Sequence, residues 1–213
     1  MINKNTEIYC SFAKKAGDVG CKLFNSSFNY YGMDKIYKSF SINNIEDAID
    51  AVKTLDIKGF AVTMPFKVEV IDYLDELESG VQSIGAVNTV INDNGYLIGY
   101  NTDYLAAKEV LDECLGIDLY ILGNGGYSRA VQQAAKDLGY KPNIISRSNW
   151  KNIKNIKDSI VYNCTPIRKI KVDKSNEFID CIVSTPTGRR LSWIQASHQF
   201  KLYTGKELPI RRM

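Results

Sequence analysis

The sequence predicts an α/β protein of two lobes. Strand-like and helix-like segments alternate through the first hundred residues. A short apolar strand, LYIL (119–122), then runs into Gly-Asn-Gly-Gly and an amphipathic helix. The length of 213 residues suits one large domain or two small lobes.

Thr6–Phe12 reads as a strand, and Cys21–Tyr31 as a helix closed by Gly32. Lys35–Ile42 is a second strand. Over Asn44–Leu55 the residues Ile45, Ala48, Ile49, Val52 and Leu55 share one helical face, with Asn43 or Asn44 as cap. Gly59–Met64 is a buried strand, followed by Pro65 and a helix expected over Val68–Leu77. Ala86–Asn92 and Tyr96–Tyr100 are strands around an Asn-Asp-Asn-Gly turn at 92–95. This order argues for a largely parallel sheet with helices outside.

A second unit begins after Asp103. Tyr104–Leu115 is a helix and Leu119–Leu122 a strand. Residues 123–126 open a helix whose apolar face is Ala130, Val131, Ala134, Ala135 and Leu138, with Gly139 past its end. Asn143–Ser146, Ile160–Cys164 and Ile182–Ser184 are further strands. The Lys/Asn/Ile-rich stretch 151–157 reads as a surface segment rather than a functional basic patch. Leu191–Tyr203 is helical and ends at Gly205.

Hydrophobic residues at 45% and charged residues at 24% give an ordinary globular balance. A net charge of +3 is too small to indicate a nucleic-acid protein, yet it suits a pocket for anionic ligands. Cys10, Cys21, Cys114, Cys164 and Cys181 are odd in number and form no CxxC pair, so neither a disulfide framework nor a metal site is expected. The opening MINKNTEIYCSF has no apolar core, and no stretch approaches the roughly 20 apolar residues of a membrane helix. A cytoplasmic protein without membrane or nucleic-acid partners, monomer or homodimer, is the expectation.

The glycine loop carries the first chemical signal. Glycines at 123, 125 and 126, around Asn124, let the backbone turn sharply and approach a pyrophosphate, while the helix N-terminus offers free N–H groups. A plain turn is the competing reading. At the end of the next strand, an NAD site has an acidic residue for the ribose hydroxyls. Here Ser146-Arg147-Ser148 stands there, with Lys151 close behind. A guanidinium pairs with phosphate, so NADP is the expected cofactor; a solvated surface arginine is the alternative.

Three further segments end in polar residues at or beside strand ends: Thr63-Met64-Pro65-Phe66-Lys67, Ala86-Val87-Asn88-Thr89 and Asn101-Thr102-Asp103. In open α/β sheets the ligand crevice lies beyond the carboxyl ends of the strands. Thr63 and the asparagines supply hydroxyl-binding groups, and Lys67 with Asp103 supplies acid–base capacity. The plain alternatives are a helix cap for Asp103, a surface lysine for Lys67 and a turn residue for Asn88.

AVNTV (86–90), GYNTD (99–103), GNGGYSRA (123–130), NCTP (163–166) and QASHQFKLYTG (195–205) together resemble the shikimate dehydrogenase family. The stretch 17–67 is similar to a divergent, shikimate dehydrogenase-like subgroup. The resemblance implies a substrate-binding catalytic domain over 1–102, completed by a C-terminal helix at 190–213, and a reduced Rossmann-type NADP lobe over 103–189. It implies reversible, NADP-linked reduction of 3-dehydroshikimate to shikimate, a step of chorismate and aromatic amino acid biosynthesis. It makes Lys67 and Asp103 the catalytic pair. Thr63, Asn88 and Gln195 become substrate contacts, and Gly123, Asn124, Gly125, Gly126, Ser146, Arg147, Ser148 and Thr165 cofactor contacts. The chain departs from the family at the serine pair that holds the substrate carboxylate, where Asp18 and Gly20 stand. It departs also at the family's histidine, here Phe24, and at an asparagine, here Ala61. Part of the usual cofactor lobe is missing between Cys164 and Leu191. A non-catalytic sensor of NADP(H) or of a ring metabolite is the alternative these departures suggest, and a related oxidoreductase for a smaller carbonyl substrate is a third. The lone His198 reads as a surface or packing residue rather than a ligand.

Overall fold

The computed structural model describes residues 2–115 and 118–209. Residues 210–213, the end of the expected C-terminal helix, lie outside the described residues. The chain divides into two compact units, Met1–Asn101 with Ser197–Met213, and Thr102–Ala196.

The first unit contains β1 (Glu7–Ala13), α1 (Val19–Tyr30), β2 (Lys35–Ser41), α2 (Ile45–Thr54), β3 (Gly59–Val62), β4 (Glu76–Leu77), α3 (Val81–Ile84), β5 (Thr89–Asp93) and β6 (Tyr96–Tyr100). Its sheet runs β2-β1-β3-β5-β6-β4. β1 lies parallel to both β2 and β3, and β4 is parallel to β6. β5 is antiparallel to both neighbours, so the sheet is mixed rather than largely parallel. The reversal comes from the tight turn between β5 and β6. Asn94 and Gly95 have φ of 52° and 95°, the left-handed pair that a two-residue hairpin needs.

The helical face of α2 forms as its spacing predicts. Ile45, Ala48, Ile49 and Val52 are buried against Phe12, Phe60, Val62 and Leu97. Each large aliphatic side chain so buried contributes about 1.5–3 kcal/mol. The Asn44 carboxamide caps the helix by accepting the Glu46 N–H at 2.8 Å. Leu55 does not join this face, because the helix ends at Thr54 and leaves it exposed.

The helix expected over Val68–Leu77 is a 3-10 turn, Glu69–Tyr73, followed by β4. Asp75 diverts the chain. Its carboxylate accepts the Leu97 N–H at 2.7 Å, and its own N–H donates to Leu97 O at 3.0 Å. Those bonds recruit the segment to the sheet edge.

The second unit holds α4 (Thr102–Asp112), β7 (Leu119–Leu122), α5 (Gly126–Asp137), β8 (Asn143–Ile145), β9 (Ile160–Asn163), β10 (Glu177–Asp180) and most of α6 (Pro186–Thr204). The four strands are all parallel, in the order β10-β9-β7-β8. The strand expected at Ile182–Ser184 is replaced by a turn, and the strand itself lies earlier, at β10. Asp180 ends it: its carboxylate accepts the Ile182 N–H at 3.0 Å, and Thr185 closes the turn onto Ile182 O at 2.8 Å. The stretch 151–157 keeps its lysines at the surface and is anchored at two isoleucines. It forms a 3-10 turn, Trp150–Asn155, and buries Ile153 and Ile156 against Leu122, Ile145 and Val161. Among the described residues no helix is long and apolar enough to cross a membrane.

Candidate active site

In the first unit the three polar segments share one backbone frame. The Val62 N–H donates to Asn88 O at 2.8 Å and the Val87 N–H to Lys67 O at 2.7 Å. The Asn88 N–H donates to Tyr100 O at 3.1 Å, and the Asn101 carboxamide donates to Ala86 O at 2.7 Å. Residues far apart in sequence are thereby held in register at the end of β3 and the start of β5. Thr63 is exposed, Lys67 half-buried, and Asn88 and Asn101 buried. Thr63 begins a tight turn whose carbonyl accepts the Phe66 N–H at 2.9 Å. The Met64–Pro65 peptide within it is cis.

Sequence reasoning passed over Gln199. It lies one turn beyond Gln195 on α6 and is buried. Its amide donates to the Thr89 hydroxyl at 2.8 Å and to Asn88 O at 3.4 Å, while Thr89 donates to the Asn88 side-chain oxygen at 2.9 Å. The four-residue spacing of the two glutamines was the available signal. Gln195 belongs to the second unit. Its amide donates to Ser192 O at 3.2 Å, and its side-chain oxygen accepts the Thr102 hydroxyl at 3.5 Å.

Asp103 sits in the first turn of α4 rather than ahead of it, so it is not the cap residue. A helix N-terminus favours a carboxylate there. It is buried, at 6% exposure. Tyr127 and Tyr162 share a 2.9 Å hydrogen bond. Burial pushes both phenols and the Cys164 thiol well above their ordinary ranges, and the negative charge of Asp103 adds to the effect.

The glycine loop joins β7 to α5. Gly123 has φ of +106°, and a Cβ there would stand 2.9 Å from the Thr165 methyl group, so backbone conformation and space both demand glycine. Thr165 is fixed in turn by Asn163, whose side-chain oxygen accepts both the Thr165 N–H at 2.9 Å and its hydroxyl at 2.7 Å. At Gly125 a Cβ would meet nothing within 4 Å. The open space over the loop, next to the first N–H groups of α5, can accept a pyrophosphate. Asn124 is exposed, and its side-chain oxygen accepts from Gln132 at 3.5 Å. Beyond β8, the Ser146 N–H donates to Asn149 Oδ1 at 2.7 Å, and the Ser146 and Ser148 hydroxyls lie 2.9 Å apart. This turn holds Arg147 exposed, and among the described residues it has no ion-pair partner. Its guanidinium is available to a phosphate.

Asp18 and Gly20, expected in place of a serine pair, stand at the start of α1, just after the end of β1 where the Lys14 N–H donates to Met64 O at 3.4 Å. Asp18 is exposed just before α1 and makes no side-chain capping bond. A Cβ on Gly20 would touch the Tyr37 ring at 3.1 Å. Phe24 stacks on Tyr37 with ring centroids 4.6 Å apart and packs against Phe28, Phe200 and Tyr203.

One mixed-sheet unit and one all-parallel unit with a strand–glycine loop–helix turn define the two-domain α/β class with a Rossmann-type half. The profile of the shikimate dehydrogenase substrate binding domain matches residues 19–90. A shikimate dehydrogenase-like protein of Haemophilus influenzae is 38% identical over 144 residues, covering 66% of this chain and 53% of the relative. A shikimate dehydrogenase (NADP(+)) of Pyrococcus furiosus is 39% identical over 150 residues, with coverage of 68% and 54%. The chain thus spans about half the length of these curated relatives. Among solved structures, a shikimate 5-dehydrogenase-like protein superposes with a TM-score of 0.81 at 30% identity, over 99% of this chain and 95% of the other. Shikimate dehydrogenase from Aquifex aeolicus gives a TM-score of 0.84 at 26% identity, over 98% and 96%. The chain belongs to the shikimate dehydrogenase family.

Proposed function

We propose that this chain is an NADP-dependent dehydrogenase that interconverts shikimate and 3-dehydroshikimate, or a close cyclohexene carboxylate, with Lys67 and Asp103 as its proton-handling pair. The observation that carries the reading is the hydrogen-bonded frame that fixes Lys67 and Asn88 on neighbouring strand ends. Relatives that bear the name shikimate dehydrogenase (NADP(+)) support it, as does a family structure in complex with NADP+, similar at a TM-score of 0.74 and 25% identity.

When bound, NADP accepts or supplies the hydride. The residues of this chain do the rest. Thr63 and Asn88 orient ring hydroxyls. As the carbinol carbon loses hydride, the Lys67 amine takes the hydroxyl proton; in the reverse direction its ammonium returns that proton to the carbonyl oxygen. Asp103 is the carboxylate partner in that proton transfer. Gly123, Gly125 and Gly126 bring the backbone close to the pyrophosphate, and Arg147, flanked by Ser146 and Ser148, holds the 2′-phosphate.

The test follows the absorbance of reduced cofactor with shikimate or quinate and NADP. A rate proportional to enzyme is expected with at least one ring acid. No rate above background with any of them, at high enzyme, contradicts the reading. Arg147→Ala is expected to raise the KM for NADP at least tenfold and leave any rate with NAD unchanged, since a charge-assisted hydrogen bond is worth about 1.5–3 kcal/mol.

The sensor reading keeps one observation in its favour. Phe24 is locked into an aromatic cluster where the family has a histidine, so the ring-carboxylate end is altered. Calorimetry separates the two, because tight NADP binding with no turnover belongs to a sensor.

A further inference from the structure

Parallel strands β9 and β10 pair residue for residue, the last pair being Asn163 with Asp180. One step further the same register sets Cys164 beside Cys181. The Cys181 N–H donates to Asn163 O at 3.2 Å, so the ladder continues to that step. The pair before it already meets side chain to side chain, because the Asn163 amide donates to the Asp180 carboxylate at 2.9 Å. Side chains alternate between the faces of a sheet. The two cysteines therefore share the opposite face, the one that carries Tyr162 and Ile179, and Cys164 packs against that core. The Cys181 thiol donates to Thr165 O at 3.6 Å, one residue along from Cys164. Both cysteines are half-buried thiols. Burial first, and the neighbouring Cys181 next, push the Cys164 thiol well above its ordinary range.

The spacing suits a bond between them. Adjacent strands lie about 4.7–4.9 Å apart, within the roughly 4.4–6.8 Å between the Cα atoms of a disulfide. The Cβ atoms must come to about 3.5–4.5 Å, so a link draws the two strand ends together. The sheet order is β10-β9-β7-β8. Movement of Cys164 towards β10 is therefore movement away from β7, whose end leads into Gly123. A Cβ on Gly123 would stand 2.9 Å from the Thr165 methyl group and 3.4 Å from Cys164 O, so these two residues form the floor of the glycine loop.

We propose that Cys164 and Cys181 are a redox pair that hydrogen peroxide oxidises to a disulfide, and that the link loosens the glycine loop. Thiolate is the reacting form, and burial holds the proton on Cys164, so Cys181 attacks first. An S–O bond forms on Cys181, the O–O bond breaks, and the second peroxide oxygen leaves as water with the thiol proton. The Cys164 sulfur then attacks the Cys181 sulfur. The S–S bond forms, the S–O bond breaks, and the hydroxide leaves as water with the Cys164 proton. Each sulfur gives up one electron and the peroxide takes both. The effect on the loop's ligand rests on the NADP reading above, whereas the disulfide does not.

Peroxide-treated protein is capped with N-ethylmaleimide and cut with trypsin. Cleavage after Lys157, Arg168, Lys174 and Arg189 places the two cysteines in separate peptides, 158–168 and 175–189. The expected product is a linked pair, two hydrogens lighter than the two thiol peptides together, split by dithiothreitol and missing from Cys181→Ser and Cys181→Ala. Calorimetry on the oxidised protein should show NADP binding weakened at least tenfold and restored by dithiothreitol. Only maleimide-capped or sulfinate peptides, or a link to another cysteine, overturns the proposal. A linked pair with unchanged NADP affinity overturns the coupling to the glycine loop. A linked pair in a protein that binds no NADP in either state leaves the redox pair standing and removes the cofactor reading.

Discussion

Two sets of segments in the first unit are built by different forces. The segments around Thr63, Lys67, Asn88 and Asn101 are held by main-chain hydrogen bonds, so their side chains need not fill a core. The Phe24 turn of α1 is held by aromatic packing, which commits that side chain to the core. Main-chain restraint leaves residue identity to chemistry, whereas ring stacking hands it to the core. The first set presents polar side chains and the second a packed phenylalanine. On the proposed function, the reacting centre is retained and the recognition of the substrate carboxylate has changed.

The sharpest way to break this comparison is Asp103→Asn. Asparagine is nearly isosteric, so the fold should be retained, with the lost charge at the helix N-terminus alone costing about 0.3–1 kcal/mol. The kcat should fall by about a hundredfold, the low end for acid–base catalysis. Thermal melts and steady-state rates measured together check it. A variant with an intact rate returns Asp103 to a purely structural role.

Phe24→His tests the aromatic segment with a smaller effect. The restored imidazole would be buried against Tyr37 and Phe200, costing about 1–3 kcal/mol for an unpaired polar group. Burial lowers a histidine pKa in the folded state, so the unfolded chain binds protons more readily below its pKa of about 6.5. The variant's stability deficit should therefore widen as pH falls through that value and narrow above it. Urea melts at pH 5.5 and 8 measure this. Equal deficits at both pH values would mean that the position is not truly enclosed.

The sequence carried the parts of the fold that rest on strict patterns. The α2 face, the Asn-Gly hairpin and the strand–glycine loop–helix turn all show in residue spacing. What escaped rests on side-chain bonds that compete with local preference. Asp75 pulls its segment into a sheet edge although 68–77 looks helical, and Asp180 with Thr185 moves the last strand upstream. At the site, the polar segments were legible as motifs. The role of Gln199 was not, because it depends on a contact with Thr89 across 110 positions. Nor was the pairing of Cys164 with Cys181, since it depends on the register of two parallel strands.

The central claim concerns the side chain of Lys67, because its main-chain carbonyl is already committed to the Val87 N–H. Removing the side chain should therefore spare the frame. The direct measurement is single-turnover reduction of NADP by shikimate in wild type and in Lys67→Ala, each saturated with both ligands. The account predicts unchanged melting temperature and cofactor affinity, with turnover slower by at least about a hundredfold. A variant that turns over at the wild-type rate would contradict it.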